Sequence, residues 1–327
     1  MKKSFHTVKK AGILTAAAVL GTAALAGCGS KADTTESAAA SEEATEATGE
    51  AEASDAQLVI AGGDSAGLIA AVQAAAEGMD PSKILILAPG EELAADMTEM
   101  APYVNAADTD EQFQANLTDD FEIYLSDIMT AGNNTNNSDM AAYVSENSEE
   151  AKDWLADTLG MEYGDLAQEA GSSVARSFPA KEGNLNELAQ EALLKKVEEL
   201  KIPVEYKAEL KSVAYDEEGA LDRITVTVDG KDQEIDCLAL VATDVSLIPV
   251  FEESQVYEAD GKAAALVVSN NAEQLNKELI NGLYAAGPIL SAAVDGEGVL
   301  SGNELTEAVV FGSTAGTEAA VYVSDNQ

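Results

Sequence analysis

Short apolar runs alternate with longer amphipathic segments along most of the chain. Gln57–Ala61 and Lys83–Leu87 are largely apolar runs of strand length, and the Ala-rich segment Leu68–Glu77 between them has helical character. Because a helical crossover joins neighbouring parallel strands, these three segments predict a βαβ unit in a parallel sheet.

Further periodic segments extend this pattern toward the C-terminus. Helices are predicted at Gln112–Met129, Met140–Leu159 and Leu185–Leu200, and strands at Val204–Tyr206, Lys211–Tyr215, Arg223–Val228, Ile235–Ala242 and Gly282–Gly287. The two strands flanking residues 216–219 predict an antiparallel pair. The resulting fold class is α/β, a parallel sheet with flanking helices and a small antiparallel β excursion.

The N-terminal segment has the features of a lipoprotein signal peptide. Four lysines precede the short apolar run Ala11–Ala24, and Leu25–Cys28 has the form of a lipobox. A membrane-spanning helix needs roughly 20 apolar residues, and this run is shorter. We therefore expect residues 1–27 to be removed and Cys28 to carry a lipid anchor on the extracytoplasmic face of the cell membrane.

The anchor is followed by two regions of different composition. Residues 28–56 are rich in Ala, Glu, Ser and Thr with almost no large apolar residue, which predicts a disordered acidic tether. Residues 57–327 are long enough to bury one substantial core and form the predicted folded domain.

Charge and rare residues narrow the available chemistry. The chain has 59 acidic and 18 basic residues and a formal net charge of −41, which disfavours nucleic acid and anionic lipid as partners. Its single histidine, His6, lies in the predicted signal peptide. Cys28 and Cys237 are the two cysteines, so no Cys/His metal site is expected, and Cys237 is predicted to be a buried apolar residue.

The turn at Gly62–Gly67 allows two interpretations. As a dinucleotide fingerprint it has glycines at both ends, but Asp64 stands where backbone should approach a diphosphate. Ala88 follows the second strand, where an acid would bind ribose. As a nucleophile elbow it places Ser65 in a G-x-S-x-G sequence. That chemistry needs a base to take the serine proton, and the sequence after the predicted signal peptide contains no histidine.

A second set of motifs lies near the C-terminus. Gly282–Gly287 predicts a strand and a small-residue turn, and Gly302-Asn303-Glu304-Leu305 predicts the start of a helix. With Leu240–Thr243 and Thr130–Leu155, these segments resemble, in collinear order over residues 58–322, the fumarate reductase/succinate dehydrogenase flavoprotein family. The resemblance implies a Rossmann-like FAD-binding fold, with FAD as a possible cofactor. The positions implied for FAD contact are Gly62, Gly63, Ser65, Ala66, Gly67, Ala242, Thr243, Gly287, Gly302, Asn303, Glu304 and Leu305.

The chain departs from that family at the positions that act on substrate. The family's catalytic His and Arg align with Asp295 and Val299, within about one residue, and residues 245–281 replace a whole capping domain. Asp244 and Pro288 also replace flavin-contacting residues, and Arg176 is expected to form a surface salt bridge. We therefore expect no catalytic residues and a degenerate domain that binds a small ligand or an envelope protein. The alternative is an FAD-dependent oxidoreductase or electron-transfer flavoprotein with an uncapped flavin.

Overall fold

The computed structural model describes residues 55–251, 254–259, 262–275 and 279–327. The predicted signal peptide, Cys28 and nearly all of the predicted tether lie outside these residues. The helices are α1 (Ser65–Ala76), α2 (Asp110–Gln114), α3 (Phe121–Ala131), α4 (Ser138–Glu146), α5 (Ser148–Leu159), α6 (Leu185–Leu200), α7 (Pro288–Asp295) and α8 (Asn303–Asp325).

The strands are short apart from one antiparallel group. They are β1 (Leu58–Ala61), β2 (Ile84–Ala88), β3 (Tyr103–Asn105), β4 (Ser177–Pro179), β5 (Val204–Tyr206), β6 (Ala208–Tyr215), β7 (Leu221–Val228), β8 (Lys231–Asp236), β9 (Ala239–Ala242), β10 (Val256–Ala259), β11 (Lys262–Leu266), β12 (Glu273–Leu275) and β13 (Leu279–Ala285).

A six-stranded sheet in the order β12–β13–β9–β1–β2–β5 forms the centre of the fold. All neighbouring strands in it are parallel except β12, which runs antiparallel to β13. Strands β1, β2 and β9 are buried along their whole length, as expected for a parallel sheet covered on both faces. The predicted βαβ unit and the α/β class are confirmed.

The antiparallel excursion is a three-stranded meander, β6–β7–β8. Strands β6 and β7 pair as predicted around residues 216–219. Two small antiparallel pairs, β3–β4 and β10–β11, were not predicted from the sequence.

Small residues bring the first and last helices into close contact. A Cβ on Gly312 of α8 would lie 2.8 Å from the Ala66 carbonyl oxygen of α1, and one on Gly316 would overlap the backbone at Ala70. Two glycines one turn apart on α8 therefore face two alanines one turn apart on α1. This packing fixes α1, and with it the turn that precedes α1, against the sheet.

Two predicted helices are each divided in two. The predicted Gln112–Met129 helix is divided into α2 and α3. The chain leaves the first helix after α2, where Asn116 has a left-handed φ of +55°. Asp120 then caps α3 by accepting a hydrogen bond from Ile123 N. The predicted Met140–Leu159 helix breaks at Asn147, whose side chain donates to the Tyr143 carbonyl at 2.7 Å. Asparagine and aspartate favour helix ends because they bond locally to backbone.

The predicted strand Ile235–Ala242 is also two strands. Ile235 and Asp236 close β8 of the meander, whereas Ala239–Ala242 is β9 of the central sheet. Between them, Leu238 N and Ala239 N both donate to the Gln57 carbonyl at 3.0 Å, so the chain changes sheet there. Cys237 lies at this junction, buried and free as predicted. Within the described residues, no helix is long and apolar enough to cross a membrane.

Candidate functional site

The carboxyl ends of β1 and β9 meet at the turn that opens α1. Thr243 N donates to the Ala61 carbonyl at 3.0 Å, and Gly62 N donates to Leu87 at 3.0 Å. Gly62 has a φ of +145°, and a Cβ there would overlap the Thr243 hydroxyl. Glycine is therefore required at position 62 by both backbone conformation and space.

Two carboxylates bond to the N-terminus of α1. Asp64 is its N-cap, accepting from Gly67 N at 3.0 Å and from the Thr243 hydroxyl. Asp96 accepts from Ser65 N at 3.0 Å and from the Ser65 hydroxyl at 2.6 Å. A helix N-terminus attracts anions through free backbone N–H groups and the helix dipole. At α1 the protein's own side chains fill that role.

Burial and neighbouring acids raise the pKa of Asp64. Asp64 as a whole keeps some solvent exposure, but protein atoms pack densely around its carboxyl. This desolvation raises the pKa of Asp64 from 3.8 to about 7. The negative charges of Asp96 and Asp244 raise the pKa further, while the hydrogen bonds from Thr243 and Gly67 oppose the shift. Near neutral pH this carboxyl therefore exchanges a proton, and it disfavours any second anion beside it.

The C-terminal motif returns to the same place. Gly287, at the N-terminus of α7, has a φ of +69°, and a Cβ there would lie 2.6 Å from the Ala66 side chain and 3.3 Å from Asp64 Oδ1. Gly302 N, just before α8, donates to its neighbour Glu304 at 3.1 Å. No side chain caps the first turn of α8, unlike α1, where Asp64 accepts from Gly67 N.

A cavity of about 200 Å³, which we name the acidic cavity, lies where α1, α7 and α8 begin. Its lining consists of Ser65, Asp96, Glu99, Met100, Gly287, Pro288, Ser291, Glu304, Glu307 and Ala308. Four of these residues bear carboxyls and none is basic. Burial raises the pKa of Glu307 well above its ordinary value, and the neighbouring Asp295 raises it further. Burial likewise raises the pKa of Asp295 to about 7.

A second cavity, which we name the edge cavity, has a volume of about 330 Å³ and lies beyond the carboxyl ends of β1 and β2. It is lined by Ala61, Gly62, Leu87, Pro89, Ala208, Glu209, Leu210, Lys211, Asp244, Ser246 and Leu247. Its volume is at the lower end of the range for small-molecule sites. Its one basic residue, Lys211, pairs with Glu209, so this cavity offers little net positive charge.

The structure brings most of the predicted cofactor-binding residues together. Contacts join Gly62 to Thr243 and Gly287 to Ala66, and Glu304 shares the acidic cavity with Ser65. Gly63, Gly67 and Ala242 belong to the same turn and strand end. Gly302, Asn303 and Leu305 lie at the start of α8.

Asn303 and Leu305 are fully buried at the start of α8. Asn303 Oδ1 accepts from the Tyr124 hydroxyl at 2.7 Å and from Asn105 Nδ2 at 3.2 Å. These bonds hold α8 to α3 and β3. Both residues therefore have packing roles in the described structure, and their predicted contact with a cofactor stays a prediction.

Sequence reasoning missed Asp96 and Glu307. Asp96 reaches Ser65 across 31 residues from an irregular segment, and no spacing in the sequence indicates that contact. Glu307 was visible as an acid on the apolar helix that follows Gly302. Its position one turn after Glu304 could have indicated that both face the same cavity.

The prediction of a surface salt bridge at Arg176 is wrong. Its side chain is fully buried and pairs with Asp119 at 2.9 Å and Asp127 at 2.9 Å, with its guanidinium 4.5 Å from the Tyr124 ring centre. Burial was not visible in the sequence because the two aspartates come from the irregular segment before α3 and from α3 itself. The paired guanidinium is not available to a substrate anion.

The comparisons with known proteins agree with this architecture. The family model described as "FAD binding domain" matches residues 57–225, more than half of the chain, and the chain belongs to this family. The resemblance to fumarate reductase/succinate dehydrogenase flavoproteins is therefore confirmed, and it supports FAD as the cofactor associated with the fold.

Individual relatives match only part of their length. The chain is 29% identical over 127 residues to NADH:fumarate oxidoreductase of Klebsiella pneumoniae (strain 342), covering 39% of this chain and 13% of that protein. It is 28% identical over 120 residues to fumarate reductase (cytochrome) of Shewanella frigidimarina, covering 37% and 20%. The matched region thus spans one fifth or less of these curated relatives.

Solved structures show the same fold at low identity. The open conformation of a flavocytochrome c3 fumarate reductase matches with a TM-score of 0.68 and 14% identity, covering 82% of this chain and 78% of that chain. A 3-ketosteroid-delta4-(5alpha)-dehydrogenase from Rhodococcus jostii RHA1 matches with a TM-score of 0.63 and 15% identity, covering 81% and 96%. The predicted Rossmann-like FAD-binding fold is confirmed.

The local residues fit FAD poorly at one point. A diphosphate bound at this turn needs the free N–H groups at the start of α1. There Ser65 N and Gly67 N already bond to Asp96 and Asp64. In the arrangement described, the diphosphate position does not fit FAD.

Proposed function

We propose that this domain uses a flavoprotein fold to bind a ligand or a partner protein and does not reduce fumarate. One observation carries the proposal: Asp64 and Asp96 bond to the N-terminus of α1 where the diphosphate of FAD would bind. Two unit charges 4 Å apart repel by about 1 kcal/mol in water and about 4 kcal/mol near a protein surface. Repulsion of that size would weaken FAD binding by roughly fivefold to roughly 700-fold.

The placement of cationic side chains supports the same proposal. Reduction of a dicarboxylate needs positive groups around the developing negative charge. The chain has two arginines: Arg176 is paired within the core, and Arg223 lies on the meander beside Asp222 and Glu234. Neither arginine lines the acidic cavity or the edge cavity.

A flavin titration tests the proposal. The purified protein is mixed with increasing FAD, and flavin fluorescence and the visible spectrum are recorded after removal of free FAD. We expect no stoichiometric flavin at micromolar concentrations. A one-to-one flavin band that bleaches with a reductant and recovers on adding fumarate would overturn the proposal.

The second candidate is an FAD-dependent oxidoreductase or an electron-transfer flavoprotein. It is favoured by Gly62 and Gly287, which the family resemblance places at the cofactor and which the structure brings together beside Thr243 and Asp64. Family membership and the flavoprotein neighbours support it as well. Stoichiometric FAD that bleaches with a reductant but does not respond to fumarate would select this candidate.

For location, we propose an exported protein anchored to the cell membrane through Cys28, with an envelope protein or a small ligand as its partner. The lipobox Leu25–Cys28 and the acidic composition of residues 28–56 support this. Metabolic labelling with a fatty-acid analogue should mark the wild-type chain and not the Cys28→Ala variant. Equal labelling of both would exclude the anchor at Cys28.

A further inference from the structure

An apolar groove lies on the surface beside the edge cavity. Its volume is about 610 Å³, within the roughly 300–1,000 Å³ of small-molecule sites. The apolar residues that line it are Val245, Ile248, Pro249, Phe251, Val256 and Ala264. Ser246 and Ser254 also line it, and no charged side chain among the described residues does. In a chain with 59 acidic residues, such a surface suits a hydrocarbon better than a charged group.

Part of the apolar groove is open to solvent. Val245 is 50% exposed, and Pro249 of the same lining is exposed as well. Single exposed apolar residues are ordinary, but contiguous apolar surface in a concave site marks a place where a ligand or a partner binds. The groove belongs to residues 245–264, where the chain departs from the fumarate reductase family. Family membership therefore does not account for it.

The apolar groove adjoins the edge cavity. Ser246 lines both of them. The short helical turn Val245–Val250, which carries Ser246, contacts β6 in the wall of the edge cavity and also contacts β11, which carries Ala264 of the groove. The two cavities therefore offer one elongated binding surface that is polar at one end and apolar at the other.

The polar end carries charges of both signs. Glu209 and Lys211 lie two residues apart on β6, on the same face of the strand, and pair with each other. Asp244 adds a second carboxyl to the lining. An anionic head group would meet the two carboxyls, and a cationic one would meet the ammonium group of Lys211. An uncharged head group with several hydroxyls avoids both conflicts, because hydroxyls donate to carboxylates and accept from an ammonium group.

We propose that the edge cavity and the apolar groove together bind an uncharged amphiphile of the alkyl glycoside class. Its hydroxylated head group lies in the edge cavity and its hydrocarbon chain lies along the groove. The inference rests on the proposed function, because the edge cavity includes Gly62 of the turn that the family resemblance places at FAD. It goes further by naming the chemical class of the ligand.

Equilibrium dialysis with radiolabelled n-octyl-β-D-glucopyranoside, kept below its micellar concentration, tests the inference. D-glucose supplies the head group without the chain, and octanoate and protonated octylamine supply the chain with an anionic or a cationic head. All measurements use about 150 mM salt to screen the general attraction of an acidic surface for cations. We expect saturable binding of one octyl glucoside per protein and at least tenfold weaker binding of the other compounds.

Two pairs of variants locate the ligand. Val245→Asp places a carboxylate in the groove and should weaken octyl glucoside binding at least tenfold. Its matched control is Val321→Asp, because Val321 is 47% exposed on α8 and lines neither cavity. Glu209→Ala should weaken binding at least threefold, whereas Glu217→Ala, at an exposed position of the turn between β6 and β7, should not. All four positions are exposed, and circular dichroism should show each variant folded.

Absence of saturable octyl glucoside binding would overturn the inference, as would glucose, octanoate or octylamine binding with similar affinity. Equal effects within either pair of variants would overturn it as well, because the ligand would then lie elsewhere. If neither octyl glucoside nor FAD binds, this inference fails and the proposed function stands. Stoichiometric FAD that responds to fumarate defeats the proposed function itself, whether or not octyl glucoside binds.

Discussion

Asp96 accepts hydrogen bonds from two donors of Ser65: its backbone N–H, at 3.0 Å and 3.2 Å from the two carboxyl oxygens, and its hydroxyl at 2.6 Å. The two residues are 31 positions apart in the sequence. This contact closes the start of α1 with an anion from within the chain.

Replacing both carboxylates should restore affinity for FAD. In the double variant Asp64→Gly, Asp96→Asn, backbone N–H groups at the start of α1 lose their acceptors and two negative charges disappear. We expect FAD to bind at least tenfold more tightly than to wild type, a change of about 1.4 kcal/mol. Quenching of flavin fluorescence measures it.

Asp165→Asn is the control for the loss of negative charge, because Asp165 is exposed and lies outside both cavities. It should leave FAD affinity unchanged. If it improves affinity as much as the double variant does, general surface charge and not the two carboxylates at α1 limits flavin binding.

The stability of the protein should fall as pH rises from about 5 to 8. The pKa of Asp64 is raised to about 7 in the folded protein from 3.8, so between these values the folded state binds more protons than the unfolded state. Unfolding free energy then decreases with increasing pH. Asp295 and Glu307 shift in the same direction.

Thermal unfolding at pH 5.5 and pH 8 measures this effect, with a higher midpoint expected at pH 5.5. Asp64→Asn should raise the midpoint at pH 8 and reduce the difference between the two pH values, whereas Asp165→Asn should retain it. A midpoint that is equal or higher at pH 8 would contradict the raised pKa values.

Arg176 should be essential for stability. Its side chain and that of Asp119 are both fully buried, so Arg176→Met leaves a buried carboxylate without its partner. Removing one member of such a pair is expected to reduce the free energy of unfolding by about 3–5 kcal/mol. Urea denaturation followed by circular dichroism measures the loss.

The chain's other arginine provides the control. Arg223 is half-buried on β7 and pairs with exposed acids, so Arg223→Met should unfold close to the wild-type urea concentration. If both variants lost a similar free energy of unfolding, the burial of Arg176 would not explain its contribution to stability.

The contact of α8 with α1 should not tolerate a side chain at position 316. In Gly316→Ala the added Cβ would overlap the backbone at Ala70, so we expect destabilisation of about 1–3 kcal/mol. Gly90→Ala is the matched control, since the nearest atom to its new Cβ would be Glu92 N at 3.9 Å. Differential scanning calorimetry of both variants should show a lower midpoint only for Gly316→Ala.

Local patterns predicted the elements that position the site. The apolar run at Leu58–Ala61, the amphipathic segment Leu185–Leu200 and the Gly302-Asn303 helix start all lie where periodicity and turn chemistry placed them. These features depend on neighbouring residues alone. The helix breaks at Asn116 and Asn147 carried a local signal too, because asparagine favours helix ends, but the surrounding periodicity outweighed it.

Long-range pairings could not be predicted in the same way. The buried network of Arg176 and the bond between Asp96 and Ser65 each join segments that are far apart in the sequence. In a chain with 59 acidic residues, no pattern marks which carboxyl meets which donor. The sequence identifies Asp64 as an obstacle to a diphosphate. The position of Asp96 beside the same turn is evident only from the structure.

The crossing of α8 over α1 also bears on how the protein reaches its folded state. Ala66 and Ala70 belong to the beginning of the described domain, and Gly312 and Gly316 to its final helix. The face of α1 that carries these alanines is therefore covered by a helix from the opposite end of the described residues. During folding this face of α1 stays open until α8 docks, so the first and last helices of the described domain close the structure together.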